Sequence, residues 1–237
     1  MIGLMTGALI LGWVVFSSIQ GENAATLVNA HSVILVGAGS VGVLIVATPG
    51  ATLSTLLRMI FKGRKQKHAS LKATHEALLT LSRSRQAALG ANAHPLIARA
   101  QELWRAGVSA ELFETMLSHR AEDLNQSGLR AVAALRNLAK YPPALGMTGT
   151  VIGLVGLFSN LTPEKKGMLG PSLAMAMTAT FYGLILANMI VMPLSDRLHV
   201  LHLEEIRLND HVFKTLLLVH QGEPKTVLEG EFRQYAA

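Results

Sequence analysis

The chain has no cysteine among its 237 residues, which excludes a disulfide scaffold, a zinc–thiolate site and a cysteine nucleophile. Charge is scarce: Asp, Glu, Lys and Arg make up 15% of the chain, where a soluble domain carries about a quarter. An apolar share of 50% excludes intrinsic disorder, because chains that stay unfolded lack the apolar surface to build a core. The 21 glycines and 8 prolines follow no fixed period, so a collagen-like or low-complexity chain is excluded as well. There is no H-E-x-x-H, no P-loop, no Ser/His/Asp arrangement and no nucleic-acid module. Among the nine histidines, His199 and His202 stand at i, i+3 with Glu205 the only obvious further ligand on that face. They read as surface or interfacial residues, so no metal, no cofactor and no enzyme activity is expected.

The charges are missing from four continuous stretches: Met1 to Gly21, Asn23 to Leu57, Tyr141 to Pro163 and Gly167 to Ser195. A membrane-spanning helix needs about 20 mainly apolar residues, whereas buried helices of soluble proteins average about a dozen and keep a polar face. The mean hydropathy of +0.38 agrees. The chain therefore reads as an all-α membrane protein with spans at 1–21, 30–57, 141–161 and 170–194. A helical cytoplasmic domain, 58–140, lies between spans 2 and 3, and a tail, 195–237, follows span 4. The first stretch lacks a basic start and a clear small-residue cleavage site, and reads as a retained span.

Orientation follows from the bases. Residues 58–140 hold 14 Lys and Arg against 6 acids, and 196–237 hold 5 against 7. Lys165 and Lys166 are the only bases elsewhere. The positive-inside rule places the large loop and both termini in the cytoplasm of a bacterial inner membrane. The basic cluster Lys62-Gly-Arg-Lys-Gln-Lys67 fits a topology anchor at anionic lipid headgroups. Net charge thus reports topology, not nucleic-acid binding.

Within the loop, Leu71, His75, Leu78, Leu79 and Ser82 keep helical spacing until Ala93-His94-Pro95 breaks the run. A short helix from Leu96 should end near Gly107. Ser109 is a credible N-cap with Glu111 in the first turn, opening a long helix that runs toward the third span.

One motif misleads. Ser32-Val-Ile-Leu-Val-Gly37-Ala-Gly39-Ser-Val-Gly42 matches a dinucleotide-binding fingerprint, which requires an acid about 20 residues on for the ribose. No Asp or Glu occurs between Glu22 and Glu76. Close helix packing in a membrane is the better reading of these glycines.

The third and fourth spans carry the chemistry. On helical spacing, Pro143, Gly146, Thr150, Gly153 and Leu157 form one small, smooth stripe, and Leu173, Ala176, Thr180, Gly183 and Ala187 form another. Two such stripes would pack together or line a path. Pro143 and Pro193 can bend or hinge their helices. A threonine in a membrane helix most often bonds back to a carbonyl one turn earlier; lining an ion path is the functional alternative for Thr150 and Thr180. Conducting proteins normally carry an ionisable group inside the membrane, and these stretches have none, so a partner must supply it.

The segment Pro143-Ala-Leu-Gly-Met-Thr-Gly-Thr-Val-Ile-Gly-Leu154, with Ser159-Asn-Leu161, Gly170-Pro171, Ala174-Met-Ala176, Thr180-Phe-Tyr-Gly183, Ala187-Asn188 and Pro193, closely resembles the MotA/PomA flagellar stator subunits. These belong to a superfamily that includes TolQ and ExbB. The specific motifs lie in 142–193; before residue 140 the resemblance is mainly one of layout. It implies a homo-oligomer, a pentamer, around two copies of a single-span MotB/PomB-like B subunit that contributes an aspartate. Ion flow would drive stepping of the ring against the flagellar rotor protein FliG. The resemblance puts Thr150 and Thr180 on the ion path and Pro143 and Pro193 in coupling. Gly146, Gly149, Gly153, Tyr182 and Asn188 would pack the channel, and Arg83 and Arg85 would supply the rotor-docking base. A threonine at the Thr150 position favours sodium over protons, because sodium is a hard cation that takes oxygen ligands. The sequence departs from the family pattern at Gly90 and Asn29, where acids belong, and at Lys140, which is acidic in the sodium-driven relatives. The alternative is a non-flagellar, ion-powered envelope motor of the TolQ/ExbB kind; the paired early spans favour the flagellar reading.

Overall fold

A computed structural model describes residues 29–61, 65–85, 93–159 and 169–224, together with Trp13, Val227 and Gly230. The span expected at 1–21 lies outside the described residues apart from Trp13. Among the described residues every element is a helix: α1 (Ala30–Ala47), α2 (Gly50–Phe61), α3 (Lys65–Arg83), α4 (Pro95–Ala106), α5 (Ala110–Leu138), α6 (Tyr141–Ser159), α7 (Leu169–Ile185), a π-helical turn (Leu186–Val191) and α8 (Met192–Gln221). Three continuous helical stretches among the described residues are long and apolar enough to cross a membrane: Ala30–Ala47, Ala110–Ser159 and Leu169–Gln221.

Local chemistry sets the ends. The Asn29 side chain caps α1, its Oδ1 accepting from the N–H groups of His31 at 3.1 Å and Ser32 at 3.3 Å. The single helix expected over 30–57 is instead broken after Ala47. Thr48 is extended (φ −120°, ψ 125°), because a residue before proline is pushed out of the helical region, and α2 starts afresh at Gly50, just after Pro49. In α4 the expected boundaries hold: His94 Nδ1 accepts from the Leu96 N–H at 3.3 Å, and Gly107 closes the helix at φ 66°, a left-handed conformation that suits glycine. The Ser109 hydroxyl accepts from the Leu112 N–H at 3.4 Å to start α5. Helical structure does not stop at 194, the expected end of the fourth span. Its helix runs on to Gln221, so residues 195–221 of the expected tail are helical.

The described residues divide into two compact units, one drawn from Met1–Ser54 and Ala131–Arg197, the other from Thr55–Arg130 and Leu198–Ala237. In the first, α1, α6 and α7 pack on one another. Their outward faces are apolar and exposed, for example Val46, Val151, Phe158 and Met177, as suits helices bathed in hydrocarbon. The second has a conventional core in which Leu78 and Leu81 of α3, Ile97 of α4, Phe113 and Leu117 of α5, and Val212 and Leu216 of α8 are fully buried.

A polar clamp crosses the second unit. His202 is buried, with its Nε2–H donating to the Asn125 carbonyl at 2.9 Å and its Nδ1 3.4 Å from a Glu205 carboxylate oxygen. Asn209 donates to the Asn125 side-chain oxygen at 2.6 Å. The imidazole lies flush on Gly128, where a Cβ would come within 2.5 Å of Nδ1. His202 is thus an interior brace and not a surface residue. The Glu205 carboxylate holds its pKa above 6.5, against the opposing pull of burial. A raised folded-state pKa adds stability that is complete below the unfolded value and fades as pH rises through the folded one. Thermal denaturation of the purified protein should therefore show His202→Gln to be more damaging at about pH 5.5 than at about pH 8.5. An equal loss at both would show that the charged form contributes nothing.

Candidate functional site

Both expected stripes face each other. Between α6 and α7 the backbones come so close that glycine is a steric requirement. A Cβ on Gly146 would lie 2.9 Å from the Ala179 carbonyl oxygen and 3.0 Å from Thr180 Cα. One on Gly153 would lie 2.8 Å from both Ala176 N and the Ser172 oxygen, and one on Gly183 would lie 2.5 Å from the Pro142 oxygen. At Gly149 the Ala179 methyl already fills the space. Small residues that let backbones touch are how helices associate where water gives no driving force.

That approach brings four oxygens together. Thr150 Oγ1 is 2.6 Å from Thr180 Oγ1, 3.1 Å from the Gly146 carbonyl oxygen and 3.2 Å from that of Ala176. Thr180 Oγ1 is also 3.3 Å from the Gly146 oxygen. Thr150 makes the common back-bond and reaches its partner helix as well. Two hydroxyl protons serve four oxygens. One is taken by the bond between the threonines, so only one carbonyl at a time receives the other. Lone pairs therefore remain available, on neutral oxygens of the kind hard cations take as ligands. Both threonines are half-buried, leaving an approach from outside the chain.

The two prolines sit where the α-helical ladder is interrupted. Pro143 lies in the first turn of α6, where a missing N–H is tolerated. The joint falls just before it, at Ala139 and Lys140, whose N–H groups make tight bonds to Arg136 and Asn137 carbonyls at 3.3 and 3.1 Å. Pro193 follows the π turn, in which the Met192 N–H reaches back to the Ala187 oxygen. A proline ring cannot sit over the carbonyl four residues earlier without clashing, and the wider turn is one way a helix passes it unbroken. An Arg136–Asp196 pair at 3.4 Å, exposed on both sides, links the start of α8 to the end of α5 and is worth little by itself.

The remaining site candidates divide. Gly146, Gly149 and Gly153 are buried in the α6–α7 contact. Tyr182 is half-buried with its ring 5.8 Å from Phe181. Asn188 is exposed, and its amide donates to the Leu184 carbonyl at 3.0 Å, so it sits outside the α6–α7 contact. The Arg83 side chain lies outside the described residues. Arg85 is engaged within the chain: its guanidinium donates to the carbonyls of Val219 at 3.3 Å and His220 at 2.9 Å, capping the end of α8, and lies 5.9 Å over the Trp104 ring. Trp104 in turn donates to His220 Nδ1 at 2.9 Å. Of the fingerprint glycines only Gly39 packs closely, against Leu145; Gly37 and Gly42 have nothing within 4 Å. Sequence reasoning passed over a second hydroxyl pair, Ser32 on α1 and Thr178 on α7, 3.0 Å apart. The only signal for it was one of two serines inside the misleading motif.

The model of the MotA/TolQ/ExbB proton channel family matches residues 87–209. Motility protein A of Borreliella burgdorferi is 33% identical over 129 residues; the match takes in 54% of this chain and 49% of that protein, so it spans about half the length of each. Motility protein A of Bacillus subtilis is 25% identical over 231 residues, 92% of this chain and 83% of that protein. In fold, the chain is similar to one from the flagellar MotAB stator complex of Bacillus subtilis, with a TM-score of 0.74 at 22% identity over 97% of this chain and 94% of that one.

The glycine contact makes a direct prediction. Gly183→Ala and Gly153→Ala should each lower the thermal stability of the purified protein by about 1–3 kcal/mol, the usual penalty of overpacking. Gly37→Ala, which meets open space, should leave stability unchanged or slightly improved. Equal behaviour of all three would mean that α6 and α7 do not touch backbone to backbone.

Proposed function

This chain belongs to the MotA/TolQ/ExbB proton channel family, and from that premise we propose that it is the A subunit of an ion-driven flagellar stator unit. Copies of it, five in the expected ring, surround a single-span B subunit in the bacterial inner membrane, with both termini and the charged loop cytoplasmic. The observation that carries the reading is the half-buried cluster of Thr150, Thr180 and the Gly146 and Ala176 carbonyls. No Asp, Glu, Lys or Arg lies in 141–161 or 170–194, so the titratable or cation-binding carboxylate comes from the partner. The cluster faces it with neutral oxygens that strip water from a passing ion and hand it on. Nothing in this division of labour calls for catalysis or a bound cofactor.

Sodium is the proposed ion. Four close oxygens with spare lone pairs suit a hard cation, whereas proton passage asks for titratable groups that the chain does not carry along this path. Neutralising the partner's carboxylate removes the cost of an exposed charge in a low-dielectric setting and lets the ring shift by one subunit. The interrupted ladders at Pro143 and Pro193 are the joints through which that shift reaches the charged unit and the rotor protein FliG. One observation favours the second reading, an envelope motor of the TolQ/ExbB kind: the exposed Arg85 already spends hydrogen bonds on capping α8.

The test is co-expression with the neighbouring reading frame, followed by copurification and by swimming assays across sodium concentrations. A single-span partner with a membrane aspartate should copurify. Thr150→Ala should leave assembly intact and raise the sodium needed for half-maximal speed by about tenfold, the loss of one ligand from a small site. A sodium-independent wild type points to protons. Normal swimming by a strain lacking the chain points to the envelope motor.

A further inference from the structure

We propose that Ser32 and Thr178 are positioning residues for the ion path: their buried hydroxyl pair sets the rotation of α7 about its own axis, and thereby where Thr180 holds its hydroxyl. The proposal rests on the reading of Thr150 and Thr180 as ion-path residues and adds to it two residues that touch no ion.

The geometry is that of a helix gripped from two sides. Residues two apart on an α-helix point about 200° apart, so Thr178 and Thr180 leave α7 in nearly opposite directions. Thr180 meets Thr150 of α6 at 2.6 Å. Thr178 meets Ser32 of α1 at 3.0 Å, and the Ser32 hydroxyl also reaches the Met175 carbonyl at 3.2 Å. α1 braces the other threonine's helix as well. Leu35, one turn beyond Ser32, would sit 3.1 Å from a Cβ on Gly149, the residue beside Thr150.

The two hydroxyl pairs differ in a way that assigns their roles. Ser32 is 0% and Thr178 2% exposed, whereas the Thr150–Thr180 pair is half-buried. In the buried pair one proton makes the bond across the pair and the other has a carbonyl in place, that of Ala174 at 2.7 Å from Thr178 Oγ1 or that of Met175 at 3.2 Å from Ser32 Oγ. Nothing in it is open to an ion. Its position along α1 is fixed in turn, because the Asn29 cap accepts the Ser32 N–H and holds Ser32 in the first turn.

Contacts between small apolar residues are non-directional and permit a helix to roll; a hydrogen bond is directional. In hydrocarbon no water can replace a lost partner. A roll of α7 would change the 2.6 Å spacing of the threonine pair and the set of oxygens offered to an ion.

The experiment uses the purified complex with its single-span partner in detergent, melted across a NaCl titration balanced with choline chloride. An ion at concentration c that binds the folded state stabilises it by RT ln(1 + c/Kd), so a fit to the melting temperatures gives the sodium concentration that fills half the sites, the sodium midpoint. Thr178→Val keeps the shape and removes the hydroxyl. It should raise the sodium midpoint about threefold or more, the scale of one hydrogen bond between membrane helices. Thr178→Ser should return the midpoint toward wild type, a rescue that bulk packing would not give. In a Thr180→Val background, Thr178→Val should add no further shift. Ser32→Ala provides the same test from the other helix if Thr178→Val does not assemble. A lowered melting temperature with an unchanged midpoint would overturn the positioning role while leaving the ion path standing, provided Thr150→Ala still shifts the midpoint. A wild type whose melting ignores sodium would remove the sodium reading of the path and this proposal with it.

Discussion

Backbone-to-backbone contact between α6 and α7 is the constraint from which the rest of the first unit follows. Where Gly146, Gly149, Gly153 and Gly183 meet Ala176, Ala179 and the Pro142 carbonyl, no side chain keeps the helix axes apart. The short reach of a threonine is then enough to cross from one helix to the other. With a larger residue at Gly146, Thr150 could still bond to its own helix, but Thr180 would be pushed out of range. The chemistry of the site is thus a by-product of packing: two hydroxyls and two carbonyls share a small volume because the helices have nothing else between them.

The same economy governs polar groups elsewhere in the molecule. In the first unit the hydroxyl bonds between helices answer the helix packing, with Ser32 and Thr178 joining α1 to α7 and Thr150 and Thr180 joining α6 to α7 on the more open side. In the second unit a conventional apolar core does most of the work. There the polar contacts organise helix ends and crossings: His202 lies on the bare backbone of Gly128, and Arg85 closes the last turn of α8. The two settings use different forces, and each has a residue composition to match.

How much was legible in advance depended on whether a feature is local. The short helix expected from Leu96, its end near Gly107 and the Ser109 cap are written in a few adjacent residues, and the structure has them, with the helix starting at Pro95. So does the pairing of two small-residue stripes, because period and residue size are both visible in a string. The break at Thr48-Pro49 was equally local but was masked by the uncharged run around it, which argued for one long span. The π turn before Pro193 and the bond between Ser32 and Thr178, 146 residues apart, have no local signature. The same holds for Arg85, whose bonds to the Val219 and His220 carbonyls reach 134 and 135 residues along the chain.

The sequence by itself determined that the chain is helical and built to lie in a membrane, and that its spans carry no Asp, Glu, Lys or Arg. Hydropathy and charge act residue by residue, and need no knowledge of neighbours. Only the tertiary structure decided which hydroxyls meet. Thr150 and Thr178 both bond back to their own helix, and nothing in the string says that one also reaches α6's partner helix at an open edge while the other is sealed against α1. That distinction depends on the rotation of α7 between its two neighbours, a single angle set jointly by contacts from three separate stretches of chain.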